Sequence, residues 1–158
     1  MEKSRWKTYA FWLLVTEAVG ALSGFLTREG SELYRTTVTK PPLSPPALVF
    51  PIVWGILFAL MAIGAARVDL SAPSEERTGA LRLYWVQLAV NFFWSILFFN
   101  LRAWFLSLLW LILLWVLVLR LRRAFGRVVV LAGKLQLPYL LWVSFAAYLN
   151  AGVWLLNR

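Results

Sequence analysis

Long apolar runs separated by short, polar and mostly basic breaks set the pattern of this 158-residue chain. Five runs stand out, at about residues 9–27, 46–68, 81–100, 103–121 and 128–157. A helix of roughly 20 residues, rising ~1.5 Å per residue, crosses the ~30 Å hydrocarbon core of a bilayer, so each run is long enough to span it. Lipid offers no partner to backbone N–H and C=O groups, so spanning segments must be helices or closed barrels. The alternation of a barrel strand is missing from runs such as FLSLLWLILLWVLVL (105–119). The pattern predicts an all-α integral membrane protein: a bundle of five transmembrane helices forming one domain over residues 1–158. The first run is too long for a cleavable signal. The break APSEERTG (72–79) reads as a short turn.

Within the runs, polar and aromatic positions fall on definite faces. In the third, Tyr84, Gln87, Asn91, Trp94 and Phe98 recur at spacings of three, four, three and four, which is one helical face. Amides in lipid need partners, so this face points into the bundle, either as interhelical glue or as the wall of a cavity. In the fifth, Tyr139, Trp142, Ala146, Leu149 and Val153 share a face. Pro138, just ahead of Trp142, predicts a loosened or kinked helix there. In the second, Pro51, Trp54, Phe58, Met61 and Ala65 align. Trp54 and Trp142 lie well inside their runs, unlike Trp6, Trp104 and Trp154 near run ends, which read as interfacial anchors. Two inward tryptophans suit either plain core packing or a flat apolar slot for a planar aromatic ligand. Glu17 sits mid-run in the first segment, on a face with Gly20 and Gly24. An intramembrane carboxylate suggests either a bond to a neighbouring helix or a proton-linked role.

Composition sharpens the membrane reading. The chain is 61% hydrophobic, above the roughly half expected of a soluble domain. Cysteine and histidine are both absent, which excludes disulfides, thiolate or imidazole metal sites, and nucleophilic triads built on histidine. The sequence implies no metal and no resident cofactor. Net charge is +9, but the cations lie mostly between apolar runs, a topology signal and not a nucleic-acid footprint. The N-terminus (Lys3, Arg5, Lys7), the second loop (Arg67, Arg77, Arg82) and the fourth (Arg120, Arg122, Arg123, Arg127, Lys134) hold eleven Lys and Arg, against five in the first loop (Arg28, Arg35, Lys40), the third (Arg102) and the C-terminus (Arg158). In a bacterial-type cell membrane that asymmetry predicts a cytoplasmic N-terminus.

Three segments in order, KPPLSPP with FPIVW (40–54), YWVQLAVNFFWSILFF (84–99) and PYLLWVSFAAYLN (138–150), resemble the tryptophan-rich sensory protein/translocator protein family (TspO/MBR, the peripheral benzodiazepine receptor family). The resemblance runs from Gly20 to Asn157. It implies five transmembrane helices, commonly paired as a homodimer in the lipid bilayer. It also implies a cavity binding porphyrins, other haem-pathway tetrapyrroles, sterols or aromatic drugs. Ligand-binding positions carried over by the motifs, with their face neighbours, are Trp54, Phe58, Tyr84, Gln87, Asn91, Trp94, Phe98, Tyr139, Trp142, Ala146 and Leu149. Lys40, Pro41, Pro45 and Pro46 correspond to the family's proline-rich loop, read here as a semi-rigid lid or, more simply, as a helix start. Some bacterial members are reported to degrade protoporphyrin in light; in an enzyme of that kind Trp54 and Trp142 would be the catalytic pair, with no metal. The chain departs from the family at Leu43, where an aromatic is usual, and at Phe58, where a tyrosine is usual. It lacks the sterol motif of animal members, because Tyr148 is far from Arg158 and no basic residue closely follows Leu149. Three functions remain open: tetrapyrrole receptor or carrier, light-dependent porphyrin-degrading enzyme, and regulatory membrane protein acting through partners.

Overall fold

The computed structural model describes residues 4–158; Lys3, counted above for topology, lies outside them. The regular structure of the described residues is all helical, with α1 (Arg5–Leu26), α2 (Arg28–Thr37), α3 (Val49–Asp69), α4 (Glu75–Ser95), α5 (Trp104–Val128), α6 (Val130–Lys134) and α7 (Leu137–Leu156). A π-helical turn (Ile96–Asn100) extends α4. Five helical stretches are long and apolar enough to cross a membrane: α1, α3, α4 with its π turn, α5, and the α6–α7 stretch. Leu14, Leu22, Ile52, Ile56, Leu109, Ile112 and Leu141 turn outward and are exposed. In water such a surface would be costly; in lipid it is matched to its solvent. The chain is a multi-pass integral membrane protein.

The bundle is tight at one end and open at the other. At the tight end, α3 presents Ala62, Ala65 and Ala66, all fully buried, to neighbouring helices. Small side chains let backbones approach, which is how membrane helices gain dispersion contacts without a hydrophobic drive. Leu111, Leu114, Val118, Leu121 and Phe125 of α5 fill this end together with Tyr84, Tyr139 and Val143. Gly133 fits because a Cβ there would fall 2.7 Å from the Cα of Gly126 and 2.8 Å from the Arg122 carbonyl oxygen. Trp12 of α1 donates to Asp69 Oδ2 at 3.0 Å, tying α1 to the end of α3.

Several boundaries differ from the sequence expectation for identifiable reasons. Ser74 caps α4 by accepting from the Arg77 backbone N–H at 3.0 Å, with Glu75 and Glu76 in the first turn, so the helix starts before the apolar run does. Arg120, Arg122, Arg123 and Arg127 lie on α5 itself and not in a loop. Their long side chains let a helix continue past the hydrocarbon. Pro138 falls in the first turn of α7, where no helical hydrogen bond is lost, so it begins the helix and does not kink it. Pro45 and Pro46 precede α3, and Pro51 occupies its first turn. The first loop contains a helix, α2, that the hydropathy pattern did not predict.

Candidate functional site

The open end of the bundle encloses a cavity of about 670 Å³. Its walls come from α1 (Glu17, Gly20, Gly24), α3 (Phe50, Trp54, Phe58), α4 (Asn91, Trp94) with the π turn (Phe98, Phe99), and α7 (Trp142, Ala146, Leu149). Trp54 and Trp142 meet edge to face, with ring centroids 6.2 Å apart and planes at 89°. Phe58 stands at 76° to Trp54, 5.7 Å away. Such edge contacts leave ring faces free for a ligand. The Trp142 Nε1–H is shielded and has no hydrogen-bond partner among the described residues. Buried indole N–H groups are normally satisfied, so this one is an unsatisfied donor behind the cavity wall.

The third-helix face divides along its length. Asn91, Trp94 and Phe98 line the cavity, whereas Tyr84, Gln87 and Tyr139 do not. Those three are fully buried beneath it. Tyr139 Oη donates to Gln87 Oε1 at 2.8 Å and accepts from Asn91 Nδ2 at 2.6 Å. Tyr84 Oη lies 2.6 Å from Thr16 Oγ1, and its ring stacks on Phe125. The reason is depth: one face runs from tight packing into open space, so the same periodicity serves as glue below and wall above. The Trp94 Nε1–H is spoken for, donating to Asn150 Oδ1 at 3.1 Å, which stiffens that wall.

The first loop covers the cavity mouth. Lys40 and Pro45 line the cavity, and Pro41 and Pro46 do not. Pro41 instead rests on α7: a Cβ on Gly152 would come within 2.5 Å of the Pro41 ring. Tyr148 Oη donates to the Pro42 carbonyl at 2.7 Å. Asn157 donates to the Thr39 carbonyl at 2.7 Å and accepts from the Thr39 N–H at 3.0 Å. Leu43 marks the exposed tip, in the left-handed region at φ 70°. Replacing Pro41, Pro45 and Pro46 together by alanine is predicted to raise ligand exchange rates several-fold by softening the loop, with helical circular dichroism unchanged. Loss of the helices instead would make these prolines structural.

Sequence reasoning missed α2 and what it contributes. Arg28, Ser31, Glu32 and Tyr34 join the lining beside Arg35, which the sequence already offers with Lys40 as a first-loop cation for ligand carboxylates. Tyr34 packs on Phe98 and Phe99, each 5.4 Å away. Burial pushes its hydroxyl above the usual phenol range, so it stays protonated and available as a donor. Gly30 permits this docking, since a Cβ there would meet the Phe99 carbonyl. The signal available in the sequence was Gly30 four residues before Tyr34, one turn apart on one face of a polar segment. At the rim, Arg35 pairs with Glu32 at 2.6 Å, and both side chains are more than half exposed. Exposed pairs of this kind contribute only about 0–1 kcal/mol, so Arg35 exchanges partners readily. Lys40 Nζ donates to the carbonyls of Arg35 (3.1 Å) and Val38 (3.2 Å).

Comparison with known proteins gives a consistent result. The model of the TspO/MBR family matches residues 12–155. The chain is 38% identical over 141 residues to the tryptophan-rich protein TspO of Chlorobaculum tepidum, covering 89% of each chain. It is 39% identical over 122 residues to protein CrtK of Rhodobacter capsulatus, covering 77% of this chain and 76% of that one. Pig (Sus scrofa) translocator protein is 35% identical over 147 residues, covering 89% and 86%.

Proposed function

Since the chain belongs to the TspO/MBR family, we propose that it is a membrane receptor or carrier that binds a porphyrin or related haem-pathway tetrapyrrole in this cavity. The observation that carries the reading is the perpendicular Trp54–Trp142 pair in the wall of a 670 Å³ space. A planar macrocycle gains most from aromatic walls, and the volume falls in the range of small-molecule sites. Its acidic substituents would lie towards the rim, where Arg28, Arg35 and Lys40 supply cations. In a bacterial-type cell membrane, the bias of Lys and Arg towards the tight end supports a cytoplasmic N-terminus with the cavity mouth outside. The expected result is saturable quenching of tryptophan fluorescence by protoporphyrin; a purely linear, non-saturating response would overturn the reading.

A second reading, light-dependent degradation, draws on the same two rings. Both are oxidisable and would touch an excited ligand. In that case bound protoporphyrin bleaches faster under illumination with oxygen than free protoporphyrin in the same detergent. Equal rates would leave binding intact and remove catalysis.

A further inference from the structure

Glu17 is not used by the tetrapyrrole reading, yet it lines the cavity. It is a carboxylate in a membrane-spanning helix with no hydrogen bond or ion pair among the described residues. Such a group is expensive in a low-dielectric setting unless a partner compensates it. The cations that share the cavity lie at its rim, and none of them bonds to Glu17. Lys40 Nζ is held by the Arg35 and Val38 carbonyls, Arg28 Nη1 donates to the Phe25 carbonyl at 2.7 Å, and Arg35 pairs with Glu32.

The Glu17 side chain is exposed and shares the cavity with aromatic rings. A Cβ on Gly55 would lie 3.9 Å from Glu17 Oε2, so the carboxyl group reaches α3 at the residue following Trp54. One turn along α3, the Phe58 ring lies over Gly20, where a Cβ would approach it to 2.8 Å. A Cβ at Gly20 would crowd the Phe58 ring, whereas one at Gly55 would meet the carboxyl group at ordinary contact distance. Trp54 stands nearly perpendicular to both Phe58 and Trp142, so the three rings form corners and not a flat stack. A cation at such a corner faces more than one π-surface, and a nearby carboxylate adds a counter-charge.

We propose that the Glu17 side of the cavity is a site for a lipophilic organic cation, with Glu17 as its counter-ion and Trp54, Phe58 and Trp142 as its walls. The ligand class is an amine or quaternary ammonium on an apolar body, the body occupying the space beside Ala146 and Leu149. This chemistry is separate from that of an acidic tetrapyrrole, whose carboxylates favour the basic rim. A neutral group beside Glu17 would leave it uncompensated, and an anionic group placed there, away from the basic rim, would be repelled.

The test uses the full chain in a non-ionic detergent and two matched probes: (2-naphthylmethyl)trimethylammonium, a permanent cation, and its neutral carbon isostere 2-neopentylnaphthalene. Affinities are measured by calorimetry on the wild-type protein and on Glu17→Gln, which keeps the side-chain shape. The wild type is expected to prefer the cation, and Glu17→Gln to lose roughly tenfold in cation affinity with the neutral probe unchanged. Retained protoporphyrin quenching by Glu17→Gln would show the cavity intact. The proposal is overturned if the wild type binds both probes alike, if the cation does not bind, or if Glu17→Gln weakens both probes equally.

Discussion

Replacing Trp54 and Trp142 together by leucine is expected to weaken protoporphyrin binding by roughly a hundredfold. Each ring supplies apolar contact plus about 0.5–1.5 kcal/mol of geometry-specific aromatic attraction, and every 1.4 kcal/mol is a factor of ten in affinity. Loss of both therefore removes about 3 kcal/mol. Neither tryptophan is fully buried, and leucine is a good helix former, so the bundle should survive. Single substitutions should show smaller losses that do not sum, because the rings touch each other and, in the proposed complex, share the ligand. Trp154→Leu is the control: that ring packs on Phe105 away from the cavity and should leave affinity unchanged. Titrating protoporphyrin against each variant, with tyrosine-excited or ligand fluorescence where tryptophans are missing, decides the matter. Unchanged affinity in the double variant would remove these rings from the binding site.

What the sequence made legible follows from which forces act locally. The five spans are written in runs of apolar residues, because lipid imposes the same demand on every exposed position. Trp54 and Trp142 could be singled out because an indole deep in a span is poorly explained as an interfacial anchor. Helix α2 was not legible in the same way. Its segment REGSELYRTT is polar, and it is held by a few specific contacts, Tyr34 on Phe98 and Phe99 and Gly30 against the Phe99 carbonyl. Those contacts depend on the π turn, which rotates successive side chains away from the 3.6-residue pattern. Periodicity likewise placed Tyr84 and Asn91 on one face but could not say that the bundle is closed around the first and open beside the second. That distinction comes from how α3 and α5 converge at the tight end, a property of several helices at once.

The anchoring of the first loop on α7 was the least legible feature, and it carries the second large prediction. Gly152→Leu is expected to raise the rate of ligand release by about tenfold or more while leaving the helices in place. The side chain would occupy the space now filled by the Pro41 ring, and overpacking of this kind costs about 1–3 kcal/mol. The bundle can avoid that cost because Pro41 belongs to a connection on its surface; the loop lifts, whereas α7 stays packed through Val143, Leu149 and Val153. Lifting breaks the Tyr148–Pro42 and Asn157–Thr39 hydrogen bonds at the same time, so the docked state loses several contacts together. Lys40 and Pro45, which line the cavity, move with it. Tyr148→Phe, which deletes one hydrogen bond of roughly 0.5–1.5 kcal/mol, should shift release in the same direction by a smaller factor. Stopped-flow measurement of protoporphyrin release orders the two variants. A Gly152→Leu protein with wild-type release and intact helices would show that the loop does not control access to the cavity.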